Sequence, residues 1–441
     1  MNYLNLISFG GLFVMVGLAW LMSSHRTRVD WRLVGLGLLL QLGLAAILFQ
    51  SQNWTMDGAY PRGILFAGVE AFFQAINDYV SAGVGFLFTA NGIAEGNPTD
   101  PLVLAKTFAF GILPTVVFFA ALMSVLYHLG VMQVLVRGMA WVMQKTLRTS
   151  GAESMAAAAN VLVGQTEAPL VIRPFVAGMT RSELNALMVG GFATISGSLM
   201  AVFVSKGISA GHLLTASIIS APAALVIAKI LQPETETPGE LQHPQVADEQ
   251  RAANVIEAAA VGASDGMQLA INIAAMLIAF LALLAMLDSM LYGLGELAER
   301  MVNLGRGNSP VNFEWQTNAL FAGLFYPLAW IMGIESRECG LAGQLLGTKM
   351  VVNEFVAYLD MGSAIADENV GMSERTQVIL TYALCGFSNF GAIGIQIGGI
   401  GPLAPSRRGD LAQLGLRAML GGMLACCMTA CIAGLLFGVL K

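Results

Sequence analysis

Charged side chains are scarce in this chain of 441 residues, since Asp, Glu, Lys and Arg together make up only 11% of it. Soluble domains carry about 25%. Apolar residues account for 56% of the chain, and its mean hydropathy is +0.70. So few charges could not keep the surface of a soluble protein of this length dispersed. The composition therefore excludes a soluble enzyme and predicts an integral membrane protein.

Basic tracts, clustered histidines and paired cysteines are also missing. The 22 Lys and Arg are outnumbered by 28 Asp and Glu and form no basic run, which argues against nucleic-acid binding. The four His are scattered, and neither HExxH nor GxSxG occurs, which argues against a membrane-embedded enzyme. The five Cys are an odd number in or beside apolar stretches, which favours buried reduced thiols over a disulfide framework.

Long apolar runs dominate what is present. A helix needs about 20 apolar residues to cross a bilayer core. Eight windows meet that length as full spans: 3–23, 33–50, 102–127, 185–205, 211–231, 268–293, 376–400 and 416–440. No basic residue precedes Arg26, so the first window lacks the charged start of a signal peptide, and we expect a retained helix there.

Residues 64–88 have a different pattern, with polar and apolar side chains on opposite faces of a helix. The polar face would carry Glu70, Gln74, Asn77, Asp78 and Ser81, and the apolar face Leu65, Val69, Phe72, Phe73, Ile76 and Val80. This pattern predicts an amphipathic helix at the membrane interface or packed on the bundle. A packing element is the favoured interpretation over a binding site.

Basic residues in three connections predict the orientation. They lie at 25–32, 137–148 and 407–417, and all three connections fall on one side if eight spans alternate. Because Lys and Arg favour the cytoplasmic side, we expect both termini outside. The acidic, proline-containing segment 232–257 is expected to be a solvated cytoplasmic loop between two halves of the chain.

The two halves echo each other. The first contains NVLVGQTEAPL at 160–170 and then GFATISG at 191–197, while the second contains KMVVNEFVAY at 349–358 and then GFSNFGA at 386–392. Each half pairs a carboxylate in a short apolar segment with a Gly-Phe break in a long apolar helix. Interrupted apolar segments at matching positions of two halves point to a transporter binding site.

The carboxylates of this echo are Glu167 and Glu354, which the pattern places at membrane depth. A buried carboxylate there is costly and is by default a functional candidate, although a structural ion pair with Arg173 or Lys349 is the alternative. Thr194 and Asn389 lie at the two breaks. Their alternative role is a hydrogen bond to the backbone of their own helix.

With GQTEAPL, GGFATISGS, NEFVAY and CGFSNFGAIGI, the sequence resembles the concentrative nucleoside transporters from about Gly111 to Gly401, roughly two-thirds of the chain. The resemblance implies a homotrimer in which each protomer has an outer scaffold and an inner transport domain. That domain would hold two re-entrant hairpins of opposite orientation and two partly unwound helices. The hairpin tips would lie near 164–167 and 352–354, with 316–333 as an arm of the second hairpin.

The fold class expected is therefore an all-α integral membrane protein with about eight transmembrane helices, two oppositely oriented re-entrant hairpins forming an inverted repeat, and an interfacial amphipathic helix. The expected divisions are scaffold helices 1–63, the interfacial helix 64–90, a scaffold helix with a basic connector 101–150, the first hairpin and unwound helix 151–231, the acidic loop 232–257, a long scaffold helix 258–297, the second hairpin and unwound helix 313–401, and a C-terminal helix 402–441.

The resemblance also implies site residues. The base of the substrate would meet Gly164, Gln165, Thr166 and Glu167, and its ribose would meet Glu354 and Asn389. Leu199 and Phe387 would provide apolar walls. A Na⁺ ion would meet the side-chain oxygens of Asn160 and Thr194 and the carbonyls of Val163 and Ile195. Carboxylates accept neighbouring hydroxyls strongly, and a glutamine amide can donate to and accept from a base edge.

One position departs from the family pattern. Ala392 stands where family members carry Ser, so one ribose hydrogen bond is expected to be missing or replaced by water. This puts the selectivity between ribonucleosides and deoxyribonucleosides in doubt.

The expected function is elevator-like import of nucleosides of the uridine, cytidine and adenosine class with Na⁺ as the coupling ion and no other cofactor, across a bacterial inner membrane. Proton coupling through Glu167 or Glu354 is the alternative, and the intact Asn160 and Thr194 pair favours Na⁺. A channel and a nucleobase transporter are less favoured. A bare base would have no ribose for Glu354 and Asn389 to bind. Preference between purines and pyrimidines stays open.

Overall fold

The computed structural model describes residues 2–50, 68–69, 71–76, 78–80, 113–165, 167–205, 208–237, 252–303, 316–367 and 371–439. Within these ranges the ordered elements are helices and no strand occurs. The prediction of an all-α protein is confirmed.

Ten helices are defined in the first half of the described chain. They are α1 (Tyr3–Leu21), α2 (Trp31–Gln50), α3 (Leu113–His128), α4 (Val131–Leu147), α5 (Gly151–Asn160), α6 (Ala168–Val171), α7 (Arg173–Val176), α8 (Arg181–Ala193), α9 (Gly197–Ser205) and α10 (Ala210–Leu231). The second half adds α11 (Val255–Asn303), α12 (Thr317–Ile331), α13 (Cys339–Val351), α14 (Glu354–Ala366), α15 (Glu374–Leu384), α16 (Phe390–Ile400) and α17 (Arg408–Leu436).

Within the described ranges, five helices are long and apolar enough to cross a bilayer. They are Tyr3–Leu21, Trp31–Phe49, Ala210–Leu231, Leu281–Glu299 and Pro405–Leu436, and they overlap five of the eight expected windows. Helices α3 and α4 pass the same test only as a pair, which bends by 78°. Gly130 has a φ of +84° at this bend, a conformation that glycine adopts without a steric penalty.

The windows 185–205 and 376–400 are each interrupted. Helix α8 ends at Ala193 and α9 begins at Gly197, with Thr194 in an extended conformation between them. Helix α15 ends at Leu384, and α16 begins at Phe390. We call residues 194–196 the first break and 385–389 the second break. These are the two helices for which the sequence predicts an unwound segment.

The expected amphipathic helix is helical in its described part, residues 68–69, 71–76 and 78–80. Phe73, Ile76 and Val80 are buried, and Gln74 and Asp78 are exposed. The Phe73 ring stacks on Phe119 of α3 with the ring centroids 6.0 Å apart, so this helix packs on the bundle. Phe72, expected on the buried face, is exposed. Leu65, Glu70, Asn77 and Ser81 lie outside the described residues.

Helices α10 and α17 form the centre of the bundle. Within their apolar windows 89% and 83% of the residues are buried, whereas 6% are buried in the window of α11. Helix α17 approaches α8 so closely that a Cβ at Gly422 would lie 2.4 Å from the Cβ of Phe192. The central pair is therefore enclosed by protein, and this part of α11 lies at the periphery.

Helix α11 packs on α3 through small residues. A Cβ added at Gly262 would lie 2.7 Å from the Ala120 carbonyl oxygen, and one at Gly266 would lie 2.7 Å from the Cα of Val117. Two glycines four residues apart occupy the same helix face, and this arrangement lets membrane helices approach closely. The contact joins the peripheral helix to the rest of the bundle.

A buried ion pair fixes the start of the first hairpin. Ser150 and Glu153 form a capping box that begins α5. The Lys229 ammonium on α10 lies 2.8 Å from Glu153 Oε2 and also donates to the Ser182 hydroxyl at 3.0 Å. Because burial makes an unpaired charge costly, the pair ties α5 and α8 to the end of α10.

Basic residues gather at one end of the molecule, and the described chain ends lie at the other. The Ser24 N–H donates to the Leu231 carbonyl at 2.9 Å, and Arg417 donates to the Gln232 side chain at 3.0 Å. Arg32, Lys145 and Arg148 line one shallow recess there. At the opposite end, the Asn5 amide donates to the carbonyls of Leu435 and Phe437 at 2.9 and 3.0 Å.

Candidate functional site

The first tip, residues 161–167, connects α5 to α6. Gly164 and Gln165 are buried, and Glu167 is exposed. The Gly164 N–H donates to Glu167 Oε2 at 3.3 Å, and Pro169 lies in the first turn of α6, where its missing N–H costs little. Thr166 lies outside the described residues.

The first tip packs directly on the first break. The Gly197 N–H donates to the Leu162 carbonyl at 3.4 Å, and a Cβ at Gly164 would lie 3.4 Å from the Cβ of Ser196. Val163 and Ile195 are both buried at this level of the chain. The first tip and the start of α9 after the first break are therefore in contact.

Asn160 and Thr194 meet at the same turn of α8. Asn160 is 1% exposed, and neither polar atom of its amide has a hydrogen-bond partner among the described residues. A Cβ at Gly190 would lie 3.0 Å from Asn160 Nδ2. The Thr194 hydroxyl donates to the Gly190 carbonyl at 2.9 Å. This is the hydrogen bond to its own helix that the sequence offered as the alternative to a binding role. Its oxygen keeps lone pairs that can accept a further contact.

Gln165 is held by a residue that the sequence reasoning missed. Gln396 on α16 donates from Nε2 to Gln165 Oε1 at 3.0 Å and to the Met188 carbonyl on α8 at 3.1 Å. A Cβ at Gly191 would lie 2.7 Å from Gln396 Nε2, so this glycine leaves room for the contact. A lone glutamine within the apolar stretch IGIQIGGI is the signal that could have found it.

The second tip, Val352 and Asn353, joins α13 to α14. Asn353 is extended, and its side chain accepts the Val356 N–H at 2.9 Å to begin α14. Glu354 is the first residue of that helix and is 3% exposed, and a carboxylate is favourable at a helix N-terminus. The second tip is thus flanked by α13 and α14.

Helix α12 covers most of the segment 316–333, which the sequence predicts as an arm of the second hairpin. It precedes α13 and is followed by a turn in which Gly333 has a φ of +90°. It packs on α13 so closely that a Cβ at Gly343 would lie 2.7 Å from the Ala322 carbonyl oxygen. The assignment of 316–333 as a hairpin arm stays a prediction.

Glu354 and Asn389 are in direct contact. Asn389 Nδ2 donates to Glu354 Oε2 at 3.0 Å, and Asn389 Oδ1 accepts the Ala392 N–H at 2.8 Å to begin α16. Lys349, the expected alternative partner, donates instead to the Ala383 carbonyl at 2.8 Å. Among the described residues neither Glu354 nor Glu167 has an ion-pair partner.

The two breaks lie against each other. The Ser388 hydroxyl donates to the Phe192 carbonyl at 2.8 Å, and the Cys426 thiol on α17 contacts the carbonyls of Ala193 and Cys385. Backbone groups released by breaking a membrane helix must be satisfied within the protein. Ser388 of the second break and Cys426 of the central helix α17 therefore satisfy three of the carbonyls at the two breaks.

Helix α16 connects the two tips. Asn389 at its start holds Glu354 of the second hairpin, and Gln396, seven residues later, holds Gln165 of the first. Seven residues of α-helix span about 10 Å. Leu199 is buried on α9, and Phe387 is half-buried in the second break. The structure thus brings Gln165 of the first half and Glu354 of the second half into contact with one helix.

Three family models match the chain. The model for the Na⁺-dependent nucleoside transporter N-terminus matches residues 10–91, a nucleoside recognition model matches 109–210, and the model for the Na⁺-dependent nucleoside transporter C-terminus matches 212–434. The chain belongs to the concentrative nucleoside transporter family. The family models confirm the resemblance seen in the motifs. Members of this family are multi-pass membrane transporters rather than enzymes.

Relatives cover the whole length of the chain. An uncharacterized transporter from Haemophilus influenzae is 42% identical over 98% of this chain and 98% of its own length. Sodium/nucleoside cotransporter 1 from Sus scrofa is 37% identical over 98% of this chain, which spans 64% of that relative. The solved structure of CNTnw in an inward-facing substrate-bound state is 38% identical, with a TM-score of 0.83, over 99% of this chain and 98% of that chain.

Proposed function

We propose that this family member imports nucleosides by symport with Na⁺ through elevator-like alternating access. The observation that carries the proposal is the convergence of both hairpins on α16. Glu354 meets Asn389 at the start of the helix, and Gln165 meets Gln396 two turns later. The distance of about 10 Å along the helix suits a ligand with a sugar at one end and a base at the other.

The ribose is proposed to bind at Glu354 and Asn389. Glu354 is buried without an ion-pair partner among the described residues, so its second carboxylate oxygen is available to neighbouring hydroxyls. Such charge-assisted hydrogen bonds are about twice as strong as neutral ones. A site whose buried polar groups need those hydroxyls rejects ligands that lack them, which argues against a nucleobase as the cargo.

The base is proposed to bind at the first tip, to Gly164, Gln165, Thr166 and Glu167, with Leu199 and Phe387 as apolar walls. Gln165 is buried and held by Gln396, which supports a defined orientation for its amide. Glu167 is exposed and has one long hydrogen bond to the backbone, so it is available to a base or to water.

Na⁺ is proposed to bind between the first tip and the first break, to the side chains of Asn160 and Thr194 and the carbonyls of Val163 and Ile195. The unpartnered amide of Asn160 is 1% exposed, and leaving it unsatisfied costs about 1–3 kcal/mol. A cation bound to its oxygen would offset that cost. Neutral oxygens at an unwound helix suit Na⁺, and the name of one relative, sodium/nucleoside cotransporter 1, agrees with this choice.

Coupling is proposed to arise because Na⁺ orders the first tip against the first break. The tip reaches the break through the Leu162 carbonyl and the Gly164 backbone, so an ion between them would fix the position of Gln165. Na⁺ must favour the substrate-competent state over its alternative for coupling to occur. The transport domain would then move against the scaffold and release both ligands inside.

The proposed assembly is a homotrimer of protomers with the division given by the sequence: scaffold at 1–63, 101–150 and 258–297, transport domain at 151–231 and 313–401. The exposed apolar side chains of α11 support a peripheral role for the scaffold, because Ile278, Met286 and Met290 are more than half exposed. Lipid or a second protomer would cover such a surface. The number of copies is tested by light scattering of the purified protein.

The proposed location is a bacterial plasma membrane with both termini outside. The basic residues that gather at one end, including Arg32, Lys145 and Arg417, support a cytoplasmic placement of that end. The described chain ends meet at the opposite end. Labelling of cysteines introduced near each terminus with a membrane-impermeant reagent tests this orientation.

The deciding experiment is uptake of labelled uridine into proteoliposomes. Accumulation driven by an inward Na⁺ gradient, and absent with choline, is the expected result. Accumulation driven only by an imposed pH difference would keep the nucleoside site and replace Na⁺ by a proton. Flux without saturation would indicate a channel. No transport of uridine, cytidine, adenosine or inosine under either gradient would overturn the proposal.

A further inference from the structure

Gln396 is a buried amide in an otherwise apolar helix. It is 1% exposed and has Ile395 and Ile397 as its chain neighbours. Burying an amide costs free energy unless it is hydrogen-bonded. Its Nε2 makes two hydrogen bonds, whereas its Oε1 has no partner among the described residues. The Gln396 side chain is therefore held in the fold by its donor group alone.

The contacts fix the orientation of both amides. The Met188 carbonyl can only accept, so the Gln396 atom 3.1 Å from it must be the nitrogen. That nitrogen can only donate, so the Gln165 atom 3.0 Å away must be the oxygen. The two amides form a chain of hydrogen bonds that ends on the Met188 carbonyl of α8. That carbonyl fixes the direction of the chain.

The remaining group of Gln165 is a donor. Its Oε1 is occupied by Gln396, and its Nε2 makes no hydrogen bond to the described residues and is not among the buried unpartnered atoms. The Gln165 side chain therefore offers an accessible N–H and not an acceptor to a ligand at the first tip. Rotating either amide by itself would place two hydrogen-bond acceptors or two hydrogen-bond donors against each other.

We propose that Gln396 is a specificity-determining residue that orients Gln165 so that the site selects nucleosides with a keto oxygen on the base over those with an amino group at the same position. The proposal rests on the proposed function, because it takes the first tip as the base site. A keto oxygen accepts the Gln165 N–H, whereas an amino group presents a second donor to it. Uridine and inosine are the expected substrates, and cytidine and adenosine the disfavoured ones.

The experiment compares KM for uridine with cytidine, and for inosine with adenosine, in proteoliposomes under a fixed Na⁺ gradient. One hydrogen bond predicts a lower KM for the keto nucleosides by about five- to tenfold in the natural protein. Gln396→Leu frees the Gln165 amide to rotate, so we expect both ratios to approach one. Gln165→Glu leaves only acceptors there, and we expect the preference to invert.

Gln41 provides the matched control. It is also fully buried, donates through Nε2 to Thr429 at 3.2 Å and has an unpartnered Oε1, but it lies on α2 away from both tips. Gln41→Leu removes a comparable buried amide, so we expect its KM ratios to equal those of the natural protein. This separates loss of specificity from a general effect of losing a buried glutamine.

Equal KM values for keto and amino nucleosides in the natural protein would overturn the inference, and so would unchanged ratios in Gln396→Leu. In both cases nucleoside uptake itself continues, so the proposed function would survive. If the natural protein transports no nucleoside, both fall. If Gln396→Leu does not accumulate in membranes, Gln165→Glu decides, since an unchanged preference in that variant is incompatible with the proposed role of the amide.

Discussion

The two hairpin-and-break units, residues 151–205 and 339–400, share a plan but differ in how their polar groups are satisfied. In the second unit, Asn389 uses both ends of its amide, one on the Ala392 N–H and one on Glu354. In the first, the Asn160 amide has no partner among the described residues, and Gln165 uses only its oxygen. We infer that the second unit is preorganised and that ligands complete the first.

Gly386 in the second break and Gly164 in the first tip differ in the same sense. Gly386 has a φ of +123°, and a Cβ there would lie 2.6 Å from the Phe192 carbonyl oxygen. At Gly164 the nearest atom would be an ordinary 3.4 Å away, on Ser196. The second break is thus fixed by tight backbone packing, whereas the first tip has room to adjust. Four tests, using six substitutions, examine this difference.

The largest effect on transport is expected from Glu354→Ala. The change removes the buried Glu354 carboxylate next to the second tip and leaves Asn389 Nδ2 without its partner, so we expect nucleoside uptake to fall by at least about a hundredfold. Uptake is measured in proteoliposomes at matched protein, with size-exclusion chromatography to show that the assembly is unchanged.

Glu335→Ala is the control for that change, because Glu335 lies in the turn before α13 and pairs with Arg337 on the surface. We expect normal uptake from it. Normal uptake by Glu354→Ala would contradict the assignment of the preorganised half of the site.

Gly386→Ala and Gly164→Ala compare backbone packing in the two units. Alanine at 386 combines a disfavoured φ with a close contact to the Phe192 carbonyl, so we expect a loss of stability of about 1–3 kcal/mol. Alanine at 164 makes an ordinary contact and should cost less than about 1 kcal/mol. Melting temperatures in detergent measure both. Equal losses would show that the first tip and the second break are equally constrained.

Asn389→Leu and Asn160→Leu compare the two asparagines. Asn389→Leu leaves the buried Glu354 carboxylate unpartnered, and we expect it to destabilise the protein by about 1–3 kcal/mol. Asn160→Leu removes an amide that already lacks partners among the described residues, so without Na⁺ its melting temperature should stay near that of the natural protein.

Adding Na⁺ gives a second test of Asn160. Adding it should raise the melting temperature of the natural protein, because a ligand that binds only the folded state stabilises it. Asn160→Leu should abolish that rise. If the variant retains the full rise, the proposed ion site between the first tip and the first break is wrong.

The smallest effect is expected from Ala392→Ser, which adds a hydroxyl beside Asn389. Its backbone N–H already caps α16, so the fold should be unaffected. One added neutral hydrogen bond to the ribose predicts a two- to tenfold gain, as an order of magnitude, in the KM preference for uridine over 2′-deoxyuridine. An unchanged preference would indicate that position 392 does not face the ribose.

Much of the frame was predictable because it depends on local chemistry. Apolar runs predict the long helices α1, α2, α10 and α17, and the Gly-Phe motifs predict where two helices break. The polar and apolar faces of 64–88 predict the packing of Phe73, Ile76 and Val80. These features follow from composition and periodicity within a short stretch of chain.

Contacts between distant residues were not predictable in the same way. Sequence spacing did not reveal that Gln396 holds Gln165, which lies 231 positions away. It also left open whether the Thr194 hydroxyl bonds its own helix. These outcomes depend on which helices pack together, since each alternative is locally acceptable.

The sequence by itself determined the membrane class, the breaks and the residue types of the candidate site, because hydropathy and backbone freedom are properties of each residue and its neighbours. Only the tertiary structure decided that both tips meet on α16, that Asn389 has partners while Asn160 has none among the described residues, and that Gln165 presents a donor. The physical reason is that hydrogen-bond satisfaction is a pairwise property: a buried amide has a defined role only once its partner across the fold is fixed.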